Sequence, residues 1–114
     1  MPADIQGLHR YLEEQKIQFL QKVNAFSATT LDAVAQMPYI PETYQEALDS
    51  LVKVKKIMWL MDVSSKFSSI DSFINAIKTA IINAQTSAEI QALTEELQVL
   101  ETYKSLSEQQ VPGK

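Results

Sequence analysis

Glycine usage limits this chain more than any other feature. Its two glycines, Gly7 and Gly113, lie near the two ends, and residues 8–112 contain none. Phosphate-cradling loops, two-residue hairpin turns and strained nucleophile elbows need glycine for positive φ or close backbone approach. Those devices are nearly excluded from the body of the chain. What is left is good helix formers separated by Ser, Thr and Asn, with Pro38 and Pro41 as the only prolines between residues 3 and 111. The expected fold is all-α: a helical bundle of four main helices plus one short helix, with short Pro/Ser/Thr-capped connections.

The elements follow from apolar spacing. Over residues 3–26, Ile5, Leu8, Leu12, Phe19, Val23 and Phe26 recur at three and four, with Gln15 interrupting. Pro2 suits a helix start and Asp4 the positive end of its dipole. Residues 24–30 are a plausible break, followed by a short helix over 28–37 with Leu31, Val34 and Ala35 inward and Thr29 or Thr30 as cap. Pro38 and Pro41 stop it, because proline lacks an N–H and pushes its predecessor out of the helical region.

From Pro41 to Val63 the stripe is Tyr44, Leu48, Leu51, Val52 or Val54, Met58 and Met61. A serine-rich connector follows, in which Ser68 and Asp71 resemble a capping pair. The next helix, 69–84, carries Ile70, Phe73, Ile74, Ile77, Ile81 and Ile82 at helical rather than strand spacing. Thr86-Ser87-Ala88-Glu89 reads as a capping box for a last helix over 87–108, with Ile90, Leu93, Leu97 and Leu100 in an a/d series and Glu95, Glu96 and Glu101 outside. The division is one helical domain, 1–108, and an irregular tail, 109–114.

Charge and composition restrict function. A net charge of −4 argues against a non-specific nucleic-acid binder, which needs a basic face. The lack of Cys removes disulfides and thiolate zinc sites. The N-terminus MPADIQGLHR has no apolar signal core, and the longest apolar run, Ile57 to Met61, is far short of the roughly 20 residues that span a bilayer. The expectation is a soluble protein without a membrane role, cytoplasmic, or assembled in a virion if phage-encoded.

Candidate chemistry is sparse. His9 and Glu13 stand at i, i+4, but no second His completes a metal site, and an exposed His9–Glu13 pair is the simpler reading. Lys53, Lys55 and Lys56 do not share one helix face, and Asp49 stands at ion-pair spacing from Lys53. Ser64, Ser65, Ser68 and Ser69 read as caps and loop, with no nearby His and no oxyanion glycines for nucleophilic catalysis. Adjacent glutamates (Glu13-Glu14, Glu95-Glu96) diverge on a helix and make poor acid–base dyads. No metal, cofactor or catalytic residue is assigned, and an enzyme is not expected.

The functional lead is the apolar surplus. Ile57, Met58, Trp59, Leu60 and Met61 point all round their helix, as a central packed helix or an interface would require; Leu93, Leu97 and Leu100 form a second seam. These residues define a protein–protein interaction module: a structural subunit, adaptor or assembly factor working in a homo- or hetero-oligomer, a virion among the candidates. A helical inhibitor or immunity-type protein that occludes a partner 1:1, and a small-molecule-binding bundle, are the alternatives. The cap-and-helix stretch Asn83 to Leu93 is similar in style to segments of small phage-encoded proteins, and carries no function by itself.

Overall fold

Five helices and short connections make up the computed structural model of the protein, described over residues 4–109. They are α1 (Ile5–Val23), α2 (Ala28–Ala35), α3 (Glu42–Ser64), α4 (Ile70–Asn83) and α5 (Ser87–Gln109). Among the described residues there is no strand, and no helix is long and apolar enough to cross a membrane.

Local chemistry sets each start. Asp4 caps α1: its carboxylate accepts the Gly7 N–H at 2.6 Å and its carbonyl accepts the Leu8 N–H at 2.9 Å. Pro2, expected to help here, lies outside the described residues. Ser27, rather than Thr29 or Thr30, caps α2; its backbone is extended, and its Oγ accepts the Thr30 N–H at 3.1 Å. Leu31 and Val34 are buried as expected, whereas Ala35 is exposed.

The Pro41 carbonyl accepts the Gln45 N–H at 2.9 Å, so the proline stands immediately before the first turn of α3. Ser69, not Ser68, caps α4, because its extended backbone aims Oγ at the Ser72 N–H, 3.1 Å away. Thr86 Oγ1 accepts the Glu89 N–H at 3.1 Å, the cap half of the expected capping box, while the Glu89 carboxylate accepts from the Thr86 hydroxyl at 3.3 Å, where a full capping box would engage the cap's backbone N–H. α5 runs through Gln109, the first residue of the expected tail; the rest of that tail lies outside the described residues.

Two compact units emerge, one comprising the chain up to Tyr11 and from Leu60 onward, the other Leu12–Trp59. In the first, α4 and α5 form a helical hairpin. The pairing is antiparallel: Asp71 in the first turn of α4 meets Lys104, late in α5, at 2.8 Å. The start of α1 packs on the same stretch of α5, with the Tyr11 and Tyr103 rings 5.4 Å apart. Phe67 stacks on Phe73 at 5.0 Å, beside the buried Ile70, Ile74 and Ile77 of α4. Leu8, Leu60 and Leu100 are fully enclosed, and each aliphatic side chain of that size removed from water contributes about 1.5–3 kcal/mol.

The second unit has its own aromatic contact, Phe26 against Tyr44 at 4.5 Å, and a cation–π pair, Lys53 Nζ lying 5.1 Å from the Phe19 ring centre. Leu12, Leu31, Val34, Ala47, Val54 and Ile57 are its buried apolar residues.

Candidate functional site: the outer face of α3

Helical rotation divides α3 into two unlike faces. Ala47, Ser50, Val54, Ile57, Leu60 and Ser64 recur at three and four and are all buried. The two serines on this stripe are satisfied by their own helix: Ser50 Oγ donates to the Glu46 carbonyl at 2.7 Å, and Ser64 Oγ to that of Met61 at 3.2 Å. Across the helix, Val52, Lys55, Met58 and Trp59 are exposed. Met58 keeps 56% of its surface in solvent, Val52 52% and Trp59 41%. For a tryptophan this is unusual, because its large apolar area gains most from burial.

The apolar run singled out in the sequence is therefore split. Ile57 and Leu60 belong to the core, Met58 and Trp59 face outward, and Met61 is half-buried. The run also spans the division between units, with Ile57, Met58 and Trp59 in one and Leu60 and Met61 in the other. On α5, Leu100 is fully buried and Leu93 and Leu97 are half-buried. Ile90, the expected start of that seam, is exposed.

The buried face of α5 is Glu96, Leu100, Tyr103 and Ser107. Glu96, expected on the outer face, thus lies inside. Apolar periodicity could not find this face, since two of its four positions are polar. The exposed side of the helix holds Glu101, Glu108 and an open depression lined by Gln98, Glu101, Thr102, Ser105 and Leu106.

Other sequence-level pairings resolve differently from expectation. His9 Nε2 lies 2.7 Å from Ser64 Oγ, so the chain's one histidine does meet a serine. Ser64, read as connector, is the last residue of α3 and wholly buried. A hydroxyl so enclosed ties α1 to the end of α3 and is out of reach of a substrate. Glu13, the partner expected for His9, pairs with Lys16 at 3.2 Å. Asp49 accepts from the Gln45 amide at 2.8 Å, while Lys53 covers Phe19.

Among the described residues no cluster of three or more His, Asp or Glu is placed to hold a metal ion. Burial raises the Tyr11 phenol above its ordinary range, and the hydrogen bond and charge of Asp71 raise the Lys104 ammonium. Compared with protein-family models, with curated proteins and with solved structures, the chain matches none.

Proposed function

We propose that this chain is a non-enzymatic helical interaction protein, a small structural subunit, adaptor or assembly factor that works by covering the outer face of α3 with another protein surface. The observation that carries this reading is the exposure of Trp59 and Met58 on a helix whose opposite face is already filled. Tryptophan and methionine are enriched at interface cores, where a large or adaptable side chain gains most from losing water. Lys55 lies between Val52 and Trp59 on the same face, a charged neighbour of the kind found at the rim of such patches.

The test compares wild type with Trp59→Ala in thermal unfolding and in native mass spectrometry of complexes recovered from the producing cell. The expected result is a loss of the complex with a melting temperature lowered by no more than about 4–8 °C, the equivalent of 1 kcal/mol in a domain this small. A complex that survives while the melting temperature falls much further would show that Trp59 serves packing, and would end this reading.

A further inference from the structure

We propose that the outer face of α3 is covered by the same face of a second copy of this chain, the two helices antiparallel about a two-fold axis between Met58 and Trp59. This rests on the interaction reading above and names its partner. α3 is one unbroken helix, so rotation along it fixes which residues share a side. Lys55 and Asp62 stand seven residues apart, two turns with a drift of only about 20°, and so point nearly the same way. Met58 and Trp59 lie between them in height, one to either side of the line that joins them. All four residues are exposed. Among the described residues neither Lys55 nor Asp62 has an ion-pair partner. An exposed thioether and indole are thus bracketed by two unpaired charges of opposite sign.

That order is complementary to itself. A two-fold axis perpendicular to the helix, midway between residues 58 and 59, brings Lys55 of each copy level with Asp62 of the other, so both charges on both copies are paired. It sets the two Trp59 rings together on one side of the axis and the two Met58 side chains on the other, where their apolar surface leaves water. Other registers lose the match. An axis centred on Lys55 or on Asp62 sets like charges face to face, and parallel helices set Lys55 against Lys55 and Asp62 against Asp62. The other two lysines of α3 stay out of the contact: Lys53 covers Phe19, and Lys56 is half-buried about a third of a turn away. A pairing in which each surface meets its own copy closes at two chains.

The test uses the full chain, whose single tryptophan reports on its own burial. Light scattering after size exclusion, from micromolar to millimolar, is expected to show a mass that rises to two chains and stops, with Trp59 emission shifting to the blue as it rises. Lys55→Glu makes the stripe acidic at both ends, and Asp62→Lys makes it basic at both ends. Each variant then meets its own copy with like charges and is expected to pair with itself at least ~10-fold more weakly. Both positions are exposed, so the melting temperatures of the dilute variants should stay close to wild type. An equimolar mixture of the two restores both ion pairs and is expected to form a 1:1 heterodimer of near wild-type affinity. The double variant should recover the same affinity for itself.

A wild type that stays monomeric overturns the inference, as does a mass that grows past two chains. Single variants that still pair with themselves as wild type does, or a mixture that does not pair, overturn it too. A monomer that binds phosphatidylserine vesicles through Trp59 would assign the face to a lipid surface and overturn it equally. A monomer whose complex with another protein is lost with Trp59→Ala would refute self-pairing alone, leaving the interaction reading in place; a complex untouched by Trp59→Ala would end both.

Discussion

A glycine inside a helix costs about 1 kcal/mol relative to alanine, so Gly7, within α1, calls for a reason. The reason is Tyr103: a Cβ at position 7 would collide with its hydroxyl oxygen. Tyr103 cannot retreat easily, being buried and packed on Tyr11. Helix propensity alone says Gly7→Ala should stabilise; overpacking opposes it by about 1–3 kcal/mol and prevails. The expected outcome is a lower urea midpoint for Gly7→Ala. In a Tyr103→Phe background the same change should become neutral or favourable, because the colliding oxygen is gone and the remaining close atom, Asp4 Oδ1 at 2.9 Å, ends a side chain that can move. Loss of the same size in both backgrounds would refute the contact. The sequence displayed Gly7 but not this cause, since its obstacle is almost a hundred residues further along the chain.

At the scale of the element, the sequence was most legible where spacing and caps agreed. All five helices lie where three-and-four spacing puts them, and Thr86 caps α5 by accepting the Glu89 N–H. Runs of serine were harder to read, because Ser68 and Ser69 are chemically identical and only backbone conformation selects the cap. Ser69 is extended and holds the Ser72 N–H, so Ser69→Ala should cost about 1 kcal/mol, whereas Ser68→Ala should change little. Thermal unfolding of the two variants checks this, and equal losses would contradict the assignment. The faces of the helices were less legible than their extents. Ile57 and Met58 are neighbours in an unbroken apolar run, yet one is 5% and the other 56% exposed, and a run with no polar residue in it gives periodicity no outer face to mark. On α5 the buried Glu96 and Ser107 shift the inner face away from the one marked by Leu93 and Leu97. The candidate site was therefore legible as a region, and its division into core and outer face was not.

At the scale of the molecule, the contacts that assemble the first unit join residues distant in sequence, and local pattern cannot specify them: Tyr11 with Tyr103, His9 with Ser64, Asp71 with Lys104. Two of these leave a mark on stability as a function of pH. Burial raises the Tyr11 phenol above 10.0, and Asp71 raises the Lys104 ammonium above 10.5. Each group then holds its proton more tightly in the folded protein than in the unfolded chain. Over the interval between the unfolded and folded values the folded state binds more protons, so stability falls as pH rises. Their contribution is complete below the unfolded values and is lost as pH climbs through the folded ones. The melting temperature should accordingly be insensitive to these two groups below about pH 9 and should decline above about pH 10. The two causes separate by salt. The Lys104–Asp71 pair is exposed, and near 1 M salt the screening length shrinks to about 3 Å, so its share should largely vanish. The Tyr11 share comes from burial and should persist in salt, yet disappear in Tyr11→Phe. An alkaline decline that Tyr11→Phe leaves unchanged in high salt would place its origin elsewhere than in the contact between the start of α1 and α5.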